Sequence, residues 1–152
     1  GKFIADGATN VIPDVVTLAG SLRCMDEQER QKMLKIIPEI ATSAAAAYGC
    51  TCEVTIPEGY PCTVNSKNIT NQVREIAIEF VGDTNVHEFP KRMTADDFGF
   101  FTEKYPCCYY RFGVANDSKA GKLHTSTFLI NEDALRSSTA LFALLSLKTL
   151  SG

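Results

Sequence analysis

The sequence predicts an α/β protein built in two lobes, and three observations carry that expectation. Two stretches with alternating apolar residues flank a long stretch in which apolar residues recur every three to four positions, a strand–helix–strand order. The segment "PEGYP" (57–61) then breaks the pattern with two prolines and a glycine. Beyond it, helical and strand-like runs alternate to the end of the chain, as in an α/β layer. The expected division is an α+β lobe over residues 1–62 and an α/β lobe over 63–152.

In "VVTLAGSLRC", Val16, Leu18 and Leu22 fall on one face and Thr17 and Ser21 on the other, the pattern of a half-buried strand. Pro13 and Asp14 supply the turn before it. "MDEQERQKMLKIIPEIATSAAAAYG" reads as a helix. Asp26 is its N-cap, Glu27 and Glu29 suit its positive end, and Gly49 takes the left-handed position after it. Met33, Ile37, Ile40, Ala44 and Tyr48 fall at helical spacing, and Pro38 predicts a bend. "CTCEVTI" alternates again, as a second strand.

The second lobe opens with a helix from about Ser66 to Val81, with Ile69, Val73, Ile76 and Phe80 inward and Gly82 as its stop. A short strand is expected near "NVHEF". "MTADDFGFFTEK" reads as a short helix capped by Thr94 with Asp97 at the third helical position, a capping box. "CCYYRFGV" reads as a buried strand and "AGKLHTSTF" as a loop. A last helix from about Glu132 to Lys148 has Asn131 as N-cap and Leu135, Phe142 and Leu145 inward.

The 152 residues carry 45% apolar and 22% charged side chains, an ordinary globular balance. The net charge of −3 comes without a basic block, so no nucleic-acid partner is expected. No membrane partner is expected either: the most apolar stretch, "TALFALLSLKTL", is interrupted by Ser146 and Lys148 and falls short of a span. The first residues, "GKFIADGATN", lack the basic start and long apolar core of a signal peptide. The sequons at Asn68 and Asn116 are therefore read as chance. Six cysteines stand at 24, 50, 52, 62, 107 and 108; "CTC" and "CC" lack the gap of a metal or redox motif. They read as free thiols in a reducing, cytoplasmic compartment.

The densest chemical cluster pairs "MTADDF" with "LHTSTF". Asp96 and Asp97 at a helix N-terminus and His124 on a loop could meet at one sheet end, where α/β proteins build sites. Imidazole and carboxylate suit zinc, manganese or cobalt. The plainer reading is that the aspartates cap a helix and the histidine is solvated. One histidine and two aspartates do not close a metal site. Ser126 lacks a nucleophile elbow, and the Cys107–Cys108 pair sits in a buried-looking run.

Several motifs in order carry a resemblance. They are Asn10-Val11-Ile12-Pro13-Asp14, then Gly20-Ser21-Leu22-Arg23, "EGYPCTVN", "MTADDFGFF" and "GKLHTSTFLINEDAL". Together they resemble the lid and the C-terminal part of the catalytic domain of M20 metallopeptidases. The branch is that of amidohydrolases acting on N-acyl amino acids, hippurate or indole-acetyl conjugates, and of related carboxypeptidases. The resemblance covers essentially the whole chain. It implies a lid and dimerisation portion over 1–62 and a catalytic portion over 63–152. It implies that His124 is a ligand of a two-metal centre, of zinc, manganese or cobalt, that activates water. It further implies that Asn10 and Arg23 bind substrate carboxylate or oxyanion, and that Asp96 and Asp97 support the site.

Departures from the family pattern are Ala5 and Asp6 in place of paired glycines, Thr94-Ala95 for Gly-Ser, Asp96 for Glu, and Thr125-Ser126 for Ser-Pro. The family's remaining metal ligands, its water-activating glutamate and the lid's catalytic histidine belong to an N-terminal half with no counterpart here. The chain is therefore expected to be a fragment, inactive alone, with little or no metal. It is expected to form a homodimer or swapped assembly through an open lid strand edge. Two rivals stand beside this: a complementing subunit that joins a separate N-terminal half, and a non-catalytic dimerisation or binding module.

Overall fold

A computed structural model describes residues 1–115 and 121–151. The sequon at Asn116 and the start of the loop at Ala120 lie outside the described residues. The chain is a mixed structure of helices and a small sheet, in keeping with the α/β class, and divides into two compact units. The first comprises 1–62 with 91–95, the second 63–90 with 96–152.

In the first unit, β1 (Lys2–Ile4) pairs antiparallel with β2 (Thr17–Ala19), with Phe3 opposite Leu18. The ten-residue alternation expected around β2 shrinks to three paired residues. Both strands are exposed throughout, Phe3 and Leu18 at 71% each, so the expected half-buried face is uncovered. "CTCEVTI" forms no strand. Alternation alone does not make a strand; its N–H and C=O groups need a neighbouring strand, and among the described residues no strand pairs with this run.

The long helix α1 (Glu27–Ala47) follows its sequence signals closely. The Asp26 carboxylate accepts the Glu29 amide at 3.0 Å, closing the N-cap. At the other end Gly49, with φ +72°, lets the Gly49 and Cys50 amides reach back to the carbonyls of Ala46 and Ala45, each at 3.0 Å. That is the Schellman arrangement. The helix runs through Pro38, and the Thr42 hydroxyl donates to the Pro38 carbonyl at 2.8 Å. Its half-covered stripe is Arg30, Leu34, Ile37, Ala41 and Ala45. Of the residues picked out by periodicity only Ile37 lies there; Ile40 is 63% and Tyr48 87% exposed. The helix has two apolar stripes, and only one finds cover.

Glu27 ties the start of α1 to the end of this unit. Its carboxylate accepts from Arg30 Nε at 2.9–3.0 Å, from Gln31 at 2.9 Å and from the backbone amide of Cys62 at 2.9 Å. The Arg30 guanidinium above all holds this carboxyl at about 2, against an ordinary 4.5.

In the second unit, α2 (Lys67–Val81) begins and ends where expected, with Gly82 at φ +86° after it. It packs on α4 (Asp133–Ser151). Lys148 of α4 pairs with Glu79 of α2. Leu141 and Leu145 are the buried apolar residues among those described. Phe80, Leu135 and Phe142, expected inward, are exposed. The Asn131 side chain accepts the Asp133 amide at 3.0 Å at the start of α4.

"NVHEF" is not a strand. A 3₁₀ turn (Asp83–Asn85) leads into irregular chain. "CCYYRFGV" is not a strand either, but it is partly partnered. Ser66 N–H donates to the Cys107 carbonyl at 2.8 Å, and the Asn65 side-chain amide bonds both the N–H and the C=O of Tyr109. A side-chain amide thus stands in for one residue of a missing strand. The short helix α3 (Gly99–Lys104) starts five residues after Thr94, so the expected capping box does not form.

Two outcomes test this account. Asp26→Ala removes the side-chain cap and should lower stability by about 1 kcal/mol, read by urea unfolding followed by helical circular dichroism. Glu27 titrates lower folded than unfolded, so its contribution is full above pH 4.5 and is lost as pH falls toward 2. In Arg30→Met the fall in stability between pH 5 and pH 3 should flatten; an unchanged acid dependence would refute the Glu27 assignment.

Candidate functional site

His124 sits in a short loop between the described segment ending at Ala115 and α4. Lys122 O accepts both the amide (3.2 Å) and the hydroxyl (2.7 Å) of Thr125, and the Phe128 amide returns to Thr125 O at 3.1 Å. The Thr125 and Thr127 hydroxyls meet at 3.2 Å. Gly121 closes the base: a Cβ there would lie 2.3 Å from the Thr127 carbonyl oxygen, closer than side chains approach backbone. The same folding-back puts His124 at φ 64°, the left-handed region that histidine enters more readily than most residues. Its imidazole is exposed at the tip.

Asp96 is held before α3. One carboxylate oxygen accepts the Phe98 amide at 3.0 Å and the other the Tyr109 hydroxyl at 2.8 Å. These two bonds, the amide first, lower its pKa and keep it charged, while the same contact raises that of Tyr109. The rings of Phe98 and Tyr109 contact each other in a tilted arrangement, centroids 5.3 Å apart and planes at 46°, which steadies the hydroxyl. Asp97 is exposed, and its carbonyl accepts the Phe100 amide at 3.1 Å. Tyr109 is the residue that sequence reading missed; it stood in a run judged only for burial, with nothing to connect it to Asp96.

Asn10 and Arg23 belong to the first unit. Asn10 lies inside an exposed turn closed by the Val11 amide donating to the Ala8 carbonyl at 3.0 Å. Arg23 is exposed and donates to the Met93 carbonyl at 2.9 Å, which fixes one edge of its guanidinium. His124, Asp96 and Asp97 belong to the second unit. Among the described residues no three His, Cys, Asp or Glu side chains converge there. Asp96 faces its own chain's donors, so the described residues do not by themselves fit a bound metal.

With this geometry in view, comparison decides the family. The model of peptidase family M20/M25/M40 matches residues 4–148. The chain belongs to this family. Over 142 residues it is 34% identical to "Thermostable carboxypeptidase 2" of Saccharolobus solfataricus, covering 91% of this chain and 35% of that protein. It is 32% identical over 152 residues to "Hippurate hydrolase" of Campylobacter jejuni, covering 99% and 39%. Over 148 residues it is 28% identical to "IAA-amino acid hydrolase ILR1-like 6" of Arabidopsis thaliana, covering 93% and 32%. The chain spans about a third of the length of these relatives. No solved structure matches it. Among the described residues no helix is long and apolar enough to cross a membrane.

Tyr109→Phe removes one of the two bonds that hold Asp96 charged. The Asp96 carboxyl should then titrate closer to its ordinary 3.8, followed by carboxyl-carbon NMR. Because its folded pKa is depressed, the stability it lends is present above that value and lost as pH falls through the folded pKa. The variant should therefore be less acid-sensitive in this range. An Asp96 titration unmoved by the variant would remove Tyr109 from the role.

Proposed function

We propose that this chain is the lid and C-terminal catalytic portion of a metal-dependent amidohydrolase. Its substrates would be N-acyl amino acids or small peptides, cleaved at the amide bond by water activated at a metal centre. The observation that carries the reading is the family match across residues 4–148. Relatives named as carboxypeptidase, hippurate hydrolase and IAA-amino acid hydrolase all describe hydrolysis next to an amino acid.

Within this reading His124 donates one ligand to zinc, manganese or cobalt, and its exposed place on a loop closed by Gly121 suits that role. Asp96 and Asp97 would support the site, with Asp96 kept ionised by Phe98 and Tyr109. Asn10 and Arg23 bind the substrate's carboxylate or its oxyanion. The Arg23 guanidinium is steadied by Met93 and suits bidentate binding. Lone His124 leaves the ligand set incomplete, so the isolated chain is inactive and takes up little metal; the remaining ligands come from a longer polypeptide or a separate N-terminal half. The edges of the two-stranded sheet, with exposed side chains on both strands, suit pairing with a second copy through the lid.

The purified chain should show substoichiometric zinc, manganese or cobalt by elemental analysis and no hydrolysis of hippurate. When the family's N-terminal half is joined or added, hydrolysis should appear and fall at least a hundredfold in His124→Ala. Turnover by the isolated chain, abolished in His124→Ala, would mean that the short chain builds a complete site. Activity of the joined protein that is indifferent to His124→Ala would overturn the ligand assignment.

A further inference from the structure

Two cysteines of the first unit lie together. The Cys62 thiol donates to the carbonyl oxygen of Cys24 at 3.3 Å, and the Cys62 backbone amide donates to Glu27 at 2.9 Å. Both side chains are half-buried thiols. Cys62 is thus pinned twice against the segment 24–27, across 38 residues of chain. A carbonyl oxygen lies within about 2.8 Å of its own Cα, so the Cys62 sulfur is within about 6 Å of the Cys24 Cα. Disulfides join residues whose Cα atoms lie about 4.4–6.8 Å apart. That bound leaves the two Cα atoms up to about 9 Å apart, a span that contains the disulfide range; inside it, side-chain rotation brings the sulfurs together. The other four cysteines offer nothing comparable: Cys50 and Cys52 are exposed and bonded only to nearby carbonyls, and Cys107 and Cys108 are sequence neighbours.

We propose that Cys24 and Cys62 form a reversible disulfide when the protein meets a low-molecular-weight disulfide such as oxidised glutathione. The Cys24 thiolate, its proton released to water, attacks one sulfur of the reagent. The reagent's S–S bond breaks, and one glutathione leaves as thiolate and takes up a proton. Cys62 then attacks the Cys24 sulfur of the mixed disulfide. The bond to glutathione breaks, and the Cys62 proton goes to the second departing thiolate. Two protein thiols are oxidised and one glutathione disulfide is reduced to two thiols. Cys24 makes the first attack because burial and the Glu27 carboxylate raise the Cys62 pKa, which keeps that thiol protonated. The closed bond would pin the entry of α1 to the end of the first unit, and glutathione would open it again.

The reduced chain is treated with oxidised glutathione, alkylated, digested and read by mass spectrometry. The expected product is one cross-linked peptide joining Cys24 to Cys62, two hydrogens lighter than the reduced pair, in the monomer fraction. Glutathione in its reduced form should restore two alkylatable thiols. In Cys62→Ser the reaction should stop at glutathione on Cys24. In denaturant the preference for this pair should vanish, with bonds spread over six thiols. If the native chain instead yields separately alkylated or glutathionylated Cys24 and Cys62, or links them only between two copies, the proposal is wrong.

Discussion

An α-helix closes its backbone hydrogen bonds within one segment, whereas a strand must find them on a neighbour. That constraint accounts for most of this structure. α1, α2 and α4 stand where their caps and periodicity put them, because everything they need lies a few residues away. The strands expected at 50–56, 85–89 and 107–114 do not form, and the one over 15–24 keeps three residues because β1 faces it. The run at 107–114 shows the intermediate case, taking one backbone bond from Ser66 and a pair of bonds from the Asn65 side chain.

Apolar burial follows the same division. Leu18, Ile40, Tyr48 and Phe142 all carry patterns that call for a partner surface, and each is exposed. Two adjacent leucines of one face of α4 make the buried centre of the second unit. Periodicity tells which residues want cover; it does not tell which stripe of a two-striped helix receives it. For α1 the covered stripe passes through Arg30 and Leu34, while Met33 and Ile40, equally periodic, stay outside.

Legibility in the sequence therefore tracked locality. Asp26, Gly49, Gly82 and Asn131 were readable because a cap is a contact over two to five residues. The expected Thr94 cap failed because Asp96 binds the Phe98 amide, two residues on, and the short helix starts only after that turn. At the candidate site, His124 was legible as a loop residue from its Gly-Lys approach, and motif order marked it further. The bond between Asp96 and Tyr109 was not, since nothing in either stretch specifies the other. Glu27 read as a residue suited to a helix dipole; its larger part, receiving the Cys62 amide from 35 positions away, has no local signature.

That long-range bond also sets an order of assembly. The cap, the Glu27–Arg30 pair and the Schellman close of α1 involve residues within one or two turns, and helices of this kind form in about 0.1–1 μs. The two bonds from Cys62 span 35 and 38 residues and must wait for that loop to close, against its entropy. On the folding path α1 is therefore an early landmark, and its first turn is the dock to which the end of the unit later comes home.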